Sequence, residues 1–235
     1  DVPLGAFLSG GIDSSIIVSI AARKVKHLNT FSIGFKDNPY FDETQYAKLV
    51  ADRYKTNHTV FSISNEAMYE NIFDLLDYID EPFADSSAIA VYSLCQQTRT
   101  KATVSLSGDG GDELFAGYNK HKAMYRFEQM KALNPLFALA TPIWNLFPQS
   151  RNSKMGNVFR QLSRYSEGAK LKADERYWRW CVFADENTTA TMFGKPMFSE
   201  AVMKARKQGL YQLIDESDLN TSLLADMKMV LPNDM

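Results

Sequence analysis

The 235-residue sequence is 45% hydrophobic and 12% aromatic, enough apolar material for a packed core in one large domain or two small ones. Twenty-six Lys and Arg against 28 Asp and Glu leave a net charge of −2, so no basic field holds nucleic acid or an anionic membrane, and a small-molecule partner is the starting expectation. Cys95 and Cys181 have neither CxxC nor metal-ligand spacing, which gives no support to a disulfide framework, a zinc site or a redox pair. A reducing cytoplasm fits this composition, and no apolar run reaches the length of a membrane span or a secretory leader.

Apolar runs of strand length alternate with runs of helical period over the first half, the pattern of a parallel sheet covered by helices. Strands are expected at 4–8, 30–35, 59–63 and 103–106. Between them Ile12, Ile16, Ile17 and Ile20 repeat at helical spacing, as do Tyr46, Leu49 and Val50, then Ile72, Leu75, Leu76 and Ile79; these stripes are expected to face the core. After Tyr118 the strand signals stop and the rest reads as helix, including the segment KADERYWRWCVF. Pro135, Pro142 and Pro148 punctuate it, and residues 149–157 read as a surface loop rich in Ser, Asn and Gly. His27, His58 and His121 lie far apart and read as surface or core residues. No internal repeat stands out.

The stretch LSGGIDSS, residues 8–15, leaves a strand and opens a helix. Such a glycine turn presents backbone N–H groups to one point at the positive end of a helix dipole, which cradles an anion. Gly5 and Gly10 have the Walker spacing, but Gly11-Ile12 stands where Lys and Ser or Thr are required, and no third glycine completes a dinucleotide fingerprint. Ser9, Ser14 and Ser15 are expected to add hydroxyl donors. Asp13 would repel a bound phosphate unless a cation lay between, and magnesium, which accepts one or two carboxylates plus phosphate oxygens, supplies one.

A second loop, SLSGDGGDELFAGY at 105–118, repeats the order strand, Ser-Gly, acid. In a doubly wound sheet of order 3-2-1-4-5 the winding reverses between strands 1 and 4, and a ligand sits at their carboxyl ends. Asp109, Asp112 and Glu113 are expected to join Asp13 there, an accumulation of like charge that calls for divalent cations. An EF-hand reading fails for want of the acid at the twelfth position.

LSGGIDSS, FSIGF (31–35), DETQYAKLVA (42–51), DEPFADSSAIAVY (80–92) and LSGDGGDELFAGY (106–118) together resemble the synthetase domain of glutamine-dependent asparagine synthetases and their amidotransferase relatives. S-G-G-x-D-S alone is shared more widely, by GMP synthetase and NAD synthetase among others; the later motifs narrow the resemblance over residues 1–121. It implies an α/β fold, a doubly wound parallel sheet of the PP-loop ATP pyrophosphatase type, over 1–121, with a helical part over 122–235. It implies ATP-dependent amidation of a carboxylate through an acyl-adenylate, with aspartate as acceptor and glutamine-derived ammonia, or the same chemistry on another carboxylate such as a sugar acid; a nucleotide-binding protein without turnover is the remaining alternative.

By the same resemblance, Leu8, Ser9, Gly10, Gly11, Asp13, Ser14 and Ser15 would hold the ATP pyrophosphate and its Mg2+. Ile33 and Gly34 would meet the adenine, Ser107 and Gly108 would line the nucleotide and acyl site, and Asp13 and Asp112 would be the magnesium ligands. Asp109 and Asp112 would be catalytic, although the family carries Glu where Asp109 stands here, one methylene longer. Asp80, Glu81 and the residues 85–87 belong to a motif near the substrate pocket or to a helix-capping loop. The sequence reads as a fragment of a longer chain, without the amino-terminal glutaminase domain and without a following segment that brings a lysine to the pyrophosphate. Expected partners are ATP, the acceptor, ammonia and that glutaminase domain, with neither nucleic acid nor membrane; a homo-oligomer is left open.

Overall fold

The computed structural model describes residues 2–80, 85, 87–151, 153–195, 199–215 and 217–233. The chain divides into two compact units, Asp1–Asp109 and Gly110–Met235.

The first unit is built on four parallel strands: β1 (Leu4–Phe7), β2 (Asn29–Phe35), β3 (Asn57–Ile63) and β4 (Val104–Leu106). Their order is β3-β2-β1-β4, so the winding reverses at β1 as expected, while the fifth strand of the expected order is absent among the described residues. Ala6 pairs with Thr30 on one side and Leu106 on the other. Helices α1 (Ile12–Ala21), α2 (Thr44–Tyr54), α3 (Asn65–Glu70), α4 (Ile72–Tyr78) and α5 (Ser87–Thr98) connect the strands.

Strand side chains alternate between the faces of the sheet. Ala6, Leu8 and Leu28 pack with Val18 and Ala21 of α1 and Ala47 and Ala51 of α2. On the other face Phe31 packs with Leu94 of α5 and Ala102, joined by Phe7, Ile33 and Phe61. Phe31 is fully buried and stacks on Phe61 with ring centroids 5.9 Å apart.

The helical stripes meet expectation only in part: Val50 packs on the core and Ile17, Ile72, Leu75 and Ile79 are half-buried, but the others face solvent. Ile12 is 77% exposed and Leu49 68%, and Ile16, Ile20, Tyr46 and Leu76 are exposed too. On α1 the buried residues are Ser14, Val18 and Ala21, and on α2 they are Ala47 and Ala51. The inward positions of these helices hold Ser, Val and Ala, while larger side chains of the same period face outward.

The second unit contains only helices and turns among its described residues: α6 (Gly111–Phe115), α7 (Asn119–Gln129), α8 (Asn134–Leu139), α9 (Thr141–Trp144), α10 (Lys154–Ala169), α11 (Ala173–Cys181), α12 (Glu186–Phe193), α13 (Glu200–Tyr211) and α14 (Leu219–Met229). Pro135 and Pro142 stand in the first turns of α8 and α9, where a missing N–H costs nothing. The expected loop at 149–157 is shorter than its composition suggested: Ser153 accepts from the Gly156 N–H at 3.1 Å and so starts α10 at Lys154. Met124, Tyr177, Trp180, Leu210 and Ala225 form the core.

A buried polar hub ties this unit together. Asp226 Oδ2 lies 2.7 Å from His121 Nε2 and 2.8 Å from Lys120 Nζ, and Asp226 Oδ1 accepts from the Tyr177 hydroxyl at 2.8 Å. Burial opposes ionisation of Asp226, yet the hydrogen bonds from His121 and Lys120 win and hold its carboxyl below the usual range. Burial pushes the Tyr177 hydroxyl far up and the Cys181 thiol to about 12. These groups are structural and inert.

Candidate functional site

The loop after β1 is fixed from below. Leu8 is buried; its N–H donates to the Phe31 carbonyl at 2.8 Å, and its own carbonyl accepts from the buried Ser32 hydroxyl. Gly10 follows with φ +85°, and a Cβ there would lie 2.5 Å from the backbone of Tyr46 and Ala47 in the first turn of α2. Only glycine satisfies both the left-handed conformation and that approach.

Gly11 is the N-cap of α1 and makes no side-chain capping bond. Its carbonyl accepts from the Ser15 N–H at 3.1 Å, the Ser15 hydroxyl at 2.6 Å and the Ser14 hydroxyl at 3.3 Å. The Ser9 and Ser14 hydroxyls are 3.1 Å apart, and the Gly11 N–H donates to Ser9 Oγ at 3.2 Å. The hydroxyls of Ser14 and Ser15 both reach the loop's own Gly11 carbonyl. What α1 offers an anion is the leading amides of its first turn, Ile12, Asp13 and Ser14, at the positive end of its dipole. Asp13, half-buried, stands in that same turn.

The loop after β4 lies directly across this helix start. A Cβ on Gly108 would be 2.6 Å from Ser14 N and 3.0 Å from the Asp13 carbonyl carbon, so the absence of a side chain at 108 permits the approach. The two Ser-Gly turns expected to converge at the ends of strands 1 and 4 are in contact within the first unit. Ser107 Oγ accepts weakly from the Asp109 N–H at 3.4 Å, and Asp109 is exposed. Its carboxylate reaches Cys95 electrostatically: burial first, and then Asp109, raises that thiol.

Gly34, at the end of β2, is buried; a Cβ there would meet Thr44 Cγ2 at 3.1 Å and Asp42 Oδ1 at 3.7 Å. Ile33 beside it is half-buried and packs partly on the Phe31 core. Asp85 Oδ1 accepts from the Ser87 N–H at 2.9 Å and leads into α5, the capping half of the two readings, and Asp80 is exposed. Glu81 and Ser86 of that motif lie outside the described residues.

In the second unit, Asp112 is half-buried in the first turn of α6, with its carboxylate folded over Gly117, where a Cβ would overlap it. Glu113, expected among the site acids, is buried, and its Oε1 accepts from the Tyr118 hydroxyl at 2.7 Å. Among the described residues no three His, Cys, Asp or Glu side chains gather as a protein-only metal cage. Sequence reading missed Ser32 and His58 below the loop; Ser32 sits inside FSIGF as one small residue in an apolar strand, which carries no signal of its own.

A doubly wound parallel sheet with a glycine turn at the reversal and a second glycine turn across its helix defines a chain of the PP-loop ATP pyrophosphatase fold. The sequence model described as asparagine synthase matches residues 1–235. The chain belongs to the asparagine synthase family. It is 44% identical over 136 residues to a chain named as a candidate glutamine-hydrolysing asparagine synthetase 2 of Methanocaldococcus jannaschii, covering 57% of this chain and 26% of that one. It is 42% identical over 122 residues to glutamine-hydrolysing asparagine synthetase 1 of Bacillus subtilis, covering 52% and 19%. A Mycobacterium tuberculosis chain named as a candidate asparagine synthetase is 32% identical over 184 residues, covering 76% and 26%. The chain thus spans about a quarter or less of the length of these curated relatives. Among the described residues no helix is long and apolar enough to cross a membrane.

Proposed function

We propose that this chain carries the ATP site of an enzyme that amidates a carboxylate, with aspartate as acceptor and asparagine as product. The observation that carries the reading is the seating of Gly108 on the first turn of α1, beside Asp13, in a chain of this family. Residues 8–11 and the leading amides of α1 bind the triphosphate, Ile33 and Gly34 receive the adenine through backbone groups, and Ser107 and Gly108 border the α-phosphate and the acyl group. Uncharged backbone donors of this kind neutralise phosphate charge without a counter-ion of their own.

Magnesium fits these residues in one arrangement. It needs only one or two carboxylates when phosphate oxygens and water complete its octahedron. Asp13 beside the amide cradle would suit an ion shared with the nucleotide, and Asp112 is the second ligand that the resemblance implies. A magnesium ion held by these residues would supply charge neutralisation to the phosphates.

A carboxylate oxygen of the acceptor attacks the α-phosphorus, and the bond to the bridging oxygen of pyrophosphate breaks. Ammonia then attacks the acyl carbon, AMP leaves, and Asp109 takes a proton from the attacking nitrogen. The glutaminase domain of the longer relatives is the proposed source of ammonia. The test is to incubate the full-length protein with ATP, magnesium, glutamine or ammonium, and a panel of carboxylates. Aspartate-dependent AMP and pyrophosphate, with asparagine as product, support the reading. Turnover with a sugar acid and none with aspartate transfers the site to another acceptor.

A further inference from the structure

Beneath the anion loop lies a run of polar side chains on the α1 and α2 face of the sheet, in a setting otherwise filled by Ala, Val and Leu. Thr56 and Thr30 hydroxyls are 2.8 Å apart, Thr30 Oγ1 is 3.0 Å from His58 Nδ1, His58 Nε2 is 3.5 Å from Ser32 Oγ, and Ser32 donates to the Leu8 carbonyl. Thr30 and Ser32 are buried and His58 is half-buried.

Proton counting gives the run one direction. Ser32 has a single hydroxyl proton, and Leu8 takes it. The Ser32 oxygen can then only accept from His58, which places the imidazole proton on Nε2. Nδ1 is left as an acceptor for the Thr30 hydroxyl, whose oxygen accepts in turn from Thr56. The neutral ring this requires agrees with burial, which lowers the His58 pKa against the Thr30 backbone and the Asp52 carboxylate that pull it up.

The end of the run matters because Leu8 and Ser9 share a planar trans peptide, in which C=O and N–H point opposite ways. Holding the Leu8 carbonyl on Ser32 fixes the Ser9 N–H on the far side of that peptide, at the start of the glycine turn. We propose that Ser32 and His58 are positioning residues for the anion loop, setting the Leu8–Ser9 peptide plane through a one-way hydrogen-bond relay that begins at Thr56. Neither residue touches the ligand.

The ligand half of this proposal rests on the ATP reading above, so the test is arranged to separate the two. In 15N-edited spectra of the 235-residue chain, His58 shows the Nε2–H tautomer; an Nδ1–H tautomer overturns the relay whatever ATP does. By calorimetry with magnesium-ATP, Ser32→Ala, which leaves a buried carbonyl unpaired, binds about tenfold more weakly than the parent. His58→Gln, which keeps a donor near the position of Nε2, stays close to the parent, while His58→Leu follows Ser32→Ala. Thermal melts of all three accompany the titrations, and equal loss in His58→Gln and His58→Leu at matched stability overturns the role of His58. Parent-like affinity in Ser32→Ala overturns the role of Ser32. If the parent chain itself binds no ATP, the nucleotide reading falls, and the relay is judged by the tautomer and by the Ser9 amide: a large change in its shift in Ser32→Ala upholds the relay and an unchanged one overturns it.

Discussion

Substituting Gly108 with alanine puts one methyl group where the structure has no room. The new Cβ would stand 2.6 Å from Ser14 N and 3.1 Å from its Cα, and ordinary contact begins at 3.4 Å, so the two backbones must separate by about 0.8 Å. The obstructing atoms are main chain, so no side chain can rotate away. Overpacking of this kind costs about 1–3 kcal/mol of stability. The effect on the site is larger, because groups that bind a transferring phosphoryl tolerate displacements of only about 0.5 Å. If one amide donor is lost from the cradle, magnesium-ATP affinity falls by about 1.5–3 kcal/mol, roughly tenfold to a hundredfold, as for other hydrogen bonds to charged groups. Calorimetric titration beside urea unfolding separates the two quantities. Gly108→Ala with parent-like affinity and parent-like stability would refute the claim that the turns after β1 and β4 build one site by close backbone approach.

Three further outcomes test the surrounding structure. Gly209 lies inside α13 with nothing within 4 Å of its missing Cβ, so Gly209→Ala raises stability by about 0.5–1 kcal/mol in urea unfolding and leaves nucleotide affinity unchanged. Asp226→Ala strips the partner from buried His121 and Tyr177 and from half-buried Lys120, and costs about 3–5 kcal/mol. Because the folded Asp226 carboxyl is depressed, its contribution is present above the ordinary carboxylate range and is lost as pH falls through the lower folded value. Stability of the parent therefore drops on the acid side more steeply than that of Asp226→Ala, a difference that thermal melts from about pH 5 down to about pH 2 would reveal. Alkylation of the native chain labels the exposed Cys95 well before Cys181, whose burial holds its thiol at about 12; equal rates that persist below the unfolding midpoint contradict the packing of α11.

The strands were legible because apolar runs such as Leu4 to Leu8 are short and are closed by glycine or proline, leaving little room for a helix. Their ends moved by no more than two residues. The helices were legible in existence but only partly in facing: Ile12, Ile16 and Ile20 follow the same helical period as Ser14, Val18 and Ala21, and periodicity alone does not choose between them. At the site, the two glycine turns and their contact could be read from the repeated order of strand, Ser-Gly and acid. The use of each hydroxyl could not, since the Gly11 carbonyl comes within reach of Ser14 and Ser15 only once the turn has folded. Partnerships across long separations were invisible for a different reason. Ser32 meets His58 across 26 residues and His121 meets Asp226 across 105, pairings that the fold alone creates. Glu113 shows the same limit, because an acid in an acidic run gives no sign that Tyr118 will take it inward.

The central claim is that ATP is held by the start of α1 and the turn after β4. Amide-resolved NMR of the isotopically labelled chain during a magnesium-ATP titration tests it most directly. The account predicts that the largest shift changes fall on the amides of residues 9–15, on Gly34 and on Gly108, and that they shrink in Asp13→Asn. Saturable binding whose shift changes lie elsewhere and spare residues 9–15 would contradict it.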